Sequence, residues 1–293
     1  MIADAFLWLL NRSPAVRRAL WRSFFDLLAW RFDNIGWWTL MNYGYADPAC
    51  STRALPLDPA DAAERYPIAL YHHVATLAPL GGRRVLEVGS GRGGGASYVA
   101  RYLAPAEMIG LDLSGRAVTF CKARHGAANL AFRQGDAECL PFDDESFDSV
   151  INVESSFCYP SFDRFLAEVR RVLRPGGHLH YTDLRLAHEI ADWRAALLRS
   201  GFELVAEHDI TGNVIEALRR DSARRRAGGR RIVSGPFSAI ADTFTGVDGT
   251  RIPSLLQRGE MVYFSFLLRK PEMADSGLTA VGKSEIVERA CCD

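Results

Sequence analysis

Apolar and polar segments alternate along the middle of the chain, from residue 84 to residue 209. Short apolar runs predict buried strands, and the segments between them carry apolar residues at helical spacing. The expected strands are 84–88, 107–112, 130–134, 147–152, 177–183 and 203–209. The expected helices are 94–104, 114–125, 162–173 and 185–200. This alternation predicts an α/β fold, with a mainly parallel sheet covered by helices on both faces.

The segment before this alternation has a different character. Residues 1–65 are dense in aromatics, and apolar residues at helical spacing predict an amphipathic helix that begins after Pro14. No apolar run there reaches the roughly 18–20 residues that a bilayer span requires. We expect a helical lid packed on the main domain, and a basic, aromatic helix of this kind also suits a peripheral membrane contact.

The main domain is expected to span residues 66–270. A basic helical stretch at 218–226 lies in an insertion, residues 212–258, that interrupts the alternation. Met261–Leu268 then forms an apolar run that predicts a last, antiparallel strand. Residues 271–293 are polar and unpatterned, so we expect a mobile tail.

Composition narrows the possible partners and the compartment. The formal net charge is zero, so no overall field favours nucleic acid. The six cysteines lack the spacing of a metal site, and no signal peptide precedes them. Scattered free thiols suit a reducing compartment. We therefore expect a cytoplasmic protein without a metal, as a monomer or a homodimer.

A glycine-rich turn follows the first predicted strand, within Val85–Val99. Strand, glycine turn and helix is the arrangement by which α/β folds hold a nucleotide-like ligand beyond the end of the first strand. Glycines allow the backbone to approach the ligand, and the helix N-terminus offers unpaired N–H groups to an anion.

Three acidic residues occur at near-equal spacing, each at the end of a predicted strand: Glu87, Asp112 and Asp136. A carboxylate at the tip of the second strand accepts hydrogen bonds from both hydroxyls of a ribose in dinucleotide-binding folds. An aspartate beyond the third strand is placed to accept from an adenine amino group. The alternative is that each residue caps the helix that follows it.

Four ordered motifs resemble those of the class I S-adenosylmethionine-dependent methyltransferases. They are Val85–Gly91, Asp112, Gly135–Ala137 and Leu173–Gly177. The resemblance covers about residues 66–210 and implies a Rossmann-like, seven-stranded sheet whose last strand is antiparallel. A dehydrogenase would have a Gly-x-Gly-x-x-Gly motif at its first strand, whereas the acidic start at Glu87 is typical of methyltransferases.

The resemblance also implies which residues hold S-adenosylmethionine. The glycines approach its methionine part, Asp112 holds the ribose, and Asp136 with Ala137 holds the adenine. The full set of cofactor residues implied in this way is Glu87, Gly89, Ser90, Gly91, Gly93, Asp112, Leu113, Asp136, Ala137 and Asn152.

Further motifs are similar to those of mycobacterial phthiotriol dimycocerosate and glycolipid O-methyltransferases, and to enzymes that methylate polyketides and sugars. They are Asn42–Tyr45, Leu70–His72, Asn152–Pro160, Phe162–Glu168 and Tyr181–Arg185. This similarity implies an apolar small-molecule acceptor held under the lid. The residues expected to contact the acceptor are Trp38, Tyr43, Tyr45, His73, Phe157 and Tyr159. The ring of Tyr43 or Tyr45 could instead face the sulfonium cation of the cofactor.

Several residues are candidates for the general base. Related O-methyltransferases often carry a histidine three residues after the glutamate that corresponds to Glu154, and this chain has Phe157 there. The remaining candidates are His72, His73, Asp183 and Glu154 itself. A histidine with its usual pKa is the better base on general grounds.

Three functions follow from these residues. The first is O-methylation of a hydroxyl on a lipid or polyketide-like secondary metabolite. The second is C-methylation of an isoprenoid-like alkene, in which Phe157, Tyr159 and Trp37 or Trp38 stabilise a carbocation and Glu154 removes a proton. The third is a cyclase that keeps the fold and transfers no methyl group. The arginine-rich run 219–231 is either a solvated helix face or a site for an anionic group on the acceptor.

Overall fold

The computed structural model describes residues 38–47, 55–232 and 250–272, with four isolated helical positions, Val16, Ala19, Ser23 and Asp26. Most of the predicted lid, Trp37, part of the 212–258 insertion and nearly all of the predicted tail lie outside the described residues. No helix within the described ranges is long and apolar enough to cross a bilayer.

Seven strands form one sheet in the order β3-β2-β1-β4-β5-β7-β6. The strands are β1 Arg84–Val88, β2 Glu107–Asp112, β3 Leu130–Gln134, β4 Phe147–Val153, β5 Leu173–Leu186, β6 Glu203–Asp209 and β7 Met261–Arg269. Strands β1 to β5 pair in parallel, and β7 lies antiparallel between β5 and β6. The predicted mainly parallel sheet with an antiparallel last strand is confirmed.

Helices cover both faces of this sheet, as predicted. They are α1 Arg65–Ala75, α2 Gly94–Tyr102, α3 Gly115–Arg124, α4 Phe162–Val172, α5 Ile190–Arg199, α6 Thr211–Ile232 and α7 Arg251–Gln257. Successive residues of a strand point to opposite faces. Val85 therefore packs in the core that contains Val99 of α2, and Leu86 packs in the second core with Leu166 of α4.

Several boundaries differ from the sequence prediction, and strand β5 begins at Leu173 rather than at residue 177. Strand β5 continues to Leu186, and the helix expected at 185–200 begins only at Ile190. The reason is pairing: Arg185 and Leu186 lie opposite Val262 and Met261 of β7, a partner that local periodicity does not show. The basic helix expected at 218–226 is also longer, since α6 begins at Thr211.

The order of the strands reverses between β1 and β4, which are neighbours in the sheet but not in the chain. Ligands of open α/β sheets bind in the crevice that such a reversal leaves at the carboxyl ends of the strands. The crevice here brings together the loop after β1, residues 89–93, and the turn after β4, residues 154–159.

Candidate active site

The loop after β1 needs glycine for both conformation and space. The φ angles of Gly89, Gly91 and Gly93 are +79°, +53° and +78°, in the left-handed region that favours glycine. A Cβ atom at Gly89 would lie 2.5 Å from Ser155 Oγ, and one at Gly91 would lie 2.7 Å from Met41 Cε. The loop is thus a backbone cradle lined closely by the turn after β4 and by the segment around Met41.

Polar atoms without partners lie beside this cradle. The Glu87 carboxyl accepts a hydrogen bond from the Tyr71 hydroxyl at 2.6 Å, and the Asn152 amide donates to the Tyr159 hydroxyl at 3.0 Å. Glu87 Oε2, Asn152 Oδ1 and Ser90 Oγ are buried and have no hydrogen-bond partner among the described residues. Burial raises the pKa of Glu87 to about 7. Buried polar atoms are normally paired, so these mark a place for a polar ligand.

Asp112, at the end of β2, lies against the same loop. Its carboxylate accepts from the Gly91 N–H at 2.8 Å and from the Ser114 N–H at 2.9 Å. Burial raises the pKa of Asp112 to about 6, and the charge of Asp26 adds to this. Asp26 itself accepts a hydrogen bond from the Ser114 hydroxyl at 2.5 Å, so a residue of the N-terminal segment reaches the edge of the cradle.

The predicted adenine residues lie next to Asp112. The Gly135 N–H donates to the Asp112 carbonyl at 3.0 Å, which brings the turn after β3 to this edge of the sheet. In that turn Asp136 accepts from the Glu138 N–H at 2.9 Å, and Ala137 is buried. Leu113, half-buried, directly follows Asp112. The structure therefore brings all three residues together with Asp112, and their contact with the cofactor stays a prediction.

Glu154 is held on the other side of the crevice by two hydrogen bonds to one oxygen. Its Oε1 accepts from the Tyr43 N–H at 2.7 Å and from the Tyr263 hydroxyl at 2.5 Å. Its φ of +47° is unusual for a residue with a side chain and corresponds to about 1–3 kcal/mol of local strain. Burial raises the pKa of Glu154 to about 8; the Asp183 charge adds to the rise and the Arg225 charge opposes it.

Tyr71 connects the two sides of the crevice. Burial first, and then the neighbouring charges of Glu87 and Glu154, raise the pKa of the Tyr71 hydroxyl well above its ordinary value. Gly95 makes room for this ring, because a Cβ there would lie 2.0 Å from Tyr71 Cε1. Sequence reasoning assigned no role to Tyr263. It included Tyr71 and Arg225 only as members of the motif Leu70–His72 and of the arginine-rich run 219–231.

Asp183, predicted as a candidate base, is occupied by structural partners. It is fully buried and accepts hydrogen bonds from the Ser156 hydroxyl at 2.5 Å and the Phe157 N–H at 3.1 Å. The Arg185 guanidinium lies 3.1 Å from the same carboxylate oxygen. This network fixes the short turn Ser156–Cys158 to β5, so Asp183 anchors the turn and is not open to an acceptor.

The two candidate histidines lie outside the group around Glu154. His72 Nδ1 is 2.7 Å from the Tyr98 hydroxyl on α2. His73 Nε2 is 2.9 Å from Ser265 Oγ, and its ring stacks on Tyr45 with centroids 4.5 Å apart. Burial lowers the pKa of His73 to about 4. Tyr45, predicted to face the cofactor or acceptor, therefore faces His73.

Apolar side chains border the crevice. Phe157 is 39% exposed although its backbone is tied to Asp183, and Met41, beside Gly91, is 40% exposed. Tyr159 is packed on Phe165, with ring centroids 5.0 Å apart. Trp38 is half-buried, and its carbonyl accepts from Arg92 Nε at 2.7 Å. Phe157 and Met41 thus form an exposed apolar rim.

Comparisons with known proteins agree with this architecture. Residues 86–181 match the family described as a methyltransferase domain. The phthiotriol/phenolphthiotriol dimycocerosates methyltransferase of Mycobacterium leprae is 40% identical over 258 residues, 88% of this chain and 94% of that one. The fatty-acid O-methyltransferase of Mycolicibacterium smegmatis is 48% identical over 182 residues, 62% of this chain and 65% of that one.

Among solved structures, that of the (4+2) cyclase SpnF superimposes with a TM-score of 0.64 and 22% identity, covering 86% of this chain and 95% of that chain. At this identity the likeness shows the fold alone. The relative from Mycobacterium leprae, in contrast, matches nearly the whole length of both chains at 40% identity. The chain therefore belongs to the family of S-adenosylmethionine-dependent methyltransferases.

Proposed function

We propose that the protein O-methylates a hydroxyl group of an apolar, lipid-like acceptor, with Glu154 as the general base. The observation that carries this proposal is the Glu154 carboxyl, held at the crevice by Tyr43 and Tyr263, with a pKa raised by burial to about 8. A general base works best when its pKa lies near the operating pH. The names of the two relatives, one acting on dimycocerosates and one on fatty acids, support a lipid-like acceptor.

The crevice fits S-adenosylmethionine, because it offers a glycine cradle and buried oxygens that lack partners. Asp112 would hold the ribose, and Asp136 with Ala137 the adenine. Glu87 and Asn152 have unpaired oxygens for the polar methionine end. When bound, this cofactor supplies a methyl group on a positively charged sulfur.

The chain contributes alignment, exclusion of water and proton transfer. Both hydrogen bonds that Glu154 accepts from described residues go to Oε1, so we assign Oε2 the role of taking the hydroxyl proton as the acceptor oxygen gains the methyl group. The exposed rim of Phe157 and Met41 offers apolar contact to the acceptor. We also propose that residues 1–65 form a lid over the crevice, which the contact of Asp26 with Ser114 supports. Residues 212–258 are proposed to lie on the acceptor side, which the contact of Arg225 with Asn42 supports.

The reaction itself is tested with a labelled cofactor. The enzyme is mixed with methyl-labelled S-adenosylmethionine and long-chain secondary alcohols, fatty acids and isoprenoid alkenes, and the products are located by mass spectrometry and NMR. Label in a methoxy group of the alcohol is the expected result. Label on an alkene carbon would replace the proposal with C-methylation, and a methyl ester as the sole product would make the acceptor a carboxylate.

Asp112→Ala is expected to weaken S-adenosylmethionine binding by about a hundredfold. Hydrogen bonds to a charged group contribute about 1.5–3 kcal/mol each. The variant would lose the hydrogen bonds that the Asp112 carboxylate accepts from the ribose hydroxyls. Isothermal titration calorimetry gives the affinity, and circular dichroism checks that the fold persists. An unchanged affinity in the folded variant would remove Asp112 from the cofactor site.

Phe157→Ala is expected to raise the KM for a lipid acceptor about five- to thirtyfold and to leave the KM for S-adenosylmethionine unchanged. The change removes apolar contact worth roughly 1–2 kcal/mol from the rim. Leu198→Ala is the matched control, since Leu198 is also exposed, at 53%, but lies on α5. Equal effects of the two changes would contradict an acceptor contact at Phe157.

A further inference from the structure

We propose that Arg225, on α6, is a positioning residue that acts on Glu154 through the peptide group between Asn42 and Tyr43. The inference rests on the proposed role of Glu154 as the base. Arg225 belongs to the arginine-rich run that the sequence leaves open between a solvated face and an anion site. Arg225 is 9% exposed, so it is not part of a solvated face.

The geometry of the contact is a relay across one peptide group. Arg225 Nη2 donates to the carbonyl oxygen of Asn42 at 3.0 Å. The N–H of the same peptide group, that of Tyr43, donates to Glu154 Oε1 at 2.7 Å. Because the peptide group is planar and its bond is trans, the cation and the carboxylate are held on opposite edges at a fixed separation.

This arrangement favours the charged form of Glu154. A cation at the carbonyl oxygen polarises the amide and strengthens its N–H as a donor, as in any chain of hydrogen bonds at low dielectric. A charged donor also makes the first link stronger than a neutral one. The charge of Arg225 therefore reaches Glu154 both through space and through the Tyr43 N–H.

Arg225 is itself fixed by a buried partner. Its Nε lies 3.0 Å from Asp221 Oδ2, one helical turn earlier on α6. Asp221 is 3% exposed, and Arg224 Nε donates to its other oxygen at 2.6 Å. Burial lowers the pKa of Arg225, while the charges of Asp221 and Glu154 oppose this. The guanidinium keeps its charge and one orientation.

The same helix holds the far end of the segment that carries Tyr43. Asn213 Nδ2 donates to the Ala46 carbonyl at 3.1 Å, and the Ala46 N–H donates to the Asn213 carbonyl at 3.1 Å. Residues 42–46 are thus attached to α6 at both ends. The position of the Tyr43 N–H, and with it the oxygen of Glu154, depends on α6.

Other groups that face Glu154 come from several elements. They are Tyr43, Tyr71 on α1, Asp183 on β5 and Tyr263 on β7. Asp183 is paired with Arg185. Replacing Arg225 removes none of these groups, so a changed pKa of Glu154 reports on the arginine and on the peptide group that it holds.

The test measures the pKa of Glu154 directly, without turnover. The full chain is labelled with ¹³C at the glutamate carboxyl groups and titrated by NMR with S-adenosylhomocysteine bound. Comparison with Glu154→Gln assigns the signal. Arg225→Met is expected to raise the pKa of Glu154 by about one unit, because it removes a cation that lies across one peptide group, roughly 7–8 Å away, and favours the carboxylate.

Three further variants make the result decisive. Arg225→Lys keeps the charge, so its shift should be smaller than that of Arg225→Met. Arg219→Met removes one positive charge from an exposed position of the same helix and should leave the pKa unchanged. The double change Asp221→Asn with Arg225→Met removes the buried pair together, and it replaces the single variant if that variant does not fold.

An unmoved pKa in a folded Arg225→Met variant would overturn the inference. The double variant is compared with Asp221→Asn alone, and an equal pKa of Glu154 in those two would overturn it as well. The result for Arg225 can be distinguished from a failure of the proposed function. If Glu154→Gln keeps full activity, Glu154 is not the base whatever Arg225 does. If Glu154→Gln is inactive and the pKa does not respond to Arg225, only the relay fails.

Discussion

Replacing Glu154 with glutamine is expected to lower kcat by about 10²–10⁴-fold, the usual contribution of a positioned general base. Glutamine keeps the size and an oxygen that accepts from Tyr43 and Tyr263, so the crevice should retain its shape. The affinity for S-adenosylmethionine should stay within about twofold. Steady-state kinetics and calorimetry on the purified variant measure both.

The pH dependence of the wild-type rate provides the matching control. A base must be deprotonated to act, and burial holds the pKa of Glu154 at about 8. The rate should therefore rise with pH and level off above about 8, and the residual rate of Glu154→Gln should lack this rise. A rate that falls as pH increases through this range would mean that the protonated form of Glu154 is the active one.

Gly89→Ala is the second change with a large expected effect. The φ of +79° is unfavourable for alanine, and the added Cβ would lie 2.5 Å from Ser155 Oγ and 2.6 Å from Ser155 Cβ. Strain at such a position and overpacking each cost about 1–3 kcal/mol. We expect the free energy of unfolding to fall by about 2–6 kcal/mol, measured by urea denaturation, and cofactor binding to be lost.

Gly81→Ala provides the comparison for this change. Gly81 lies in an exposed turn, its φ is not positive, and an added Cβ would meet no atom within 4 Å. Alanine there should be neutral or stabilise the fold by about 0.4–1 kcal/mol, because it restricts the unfolded chain. Equal losses of stability at the two positions would show that the cradle geometry does not set the cost.

The sequence could predict that the residues proposed to hold the cofactor lie together, because each follows one strand closely in the chain. The loop after β1 and the residues at the tips of β2 and β3 each follow an apolar run, and parallel strands bring their carboxyl ends to one edge. Asp112, Asp136 and the glycines could therefore be identified without knowing what packs on them.

The acceptor half could not be predicted in this way, because its partners come from distant parts of the chain. Tyr263 reaches Glu154 from the antiparallel strand β7, and Tyr43 reaches it from a segment without regular structure. Asp183 illustrates the limit. A carboxylate at the end of a predicted strand suits either catalysis or anchoring, and only the positions of Ser156 and Arg185 distinguish the two.

The late position of β7 has a consequence for biosynthesis. The residues that line the glycine cradle have all been synthesised once Tyr159 has left the ribosome. The Tyr263 hydroxyl, which donates to Glu154, is added 109 residues after that glutamate. A nascent chain that has not reached Met261 also leaves β5 without its antiparallel neighbour. The side of the crevice that holds Glu154 is thus completed later in translation than the glycine cradle.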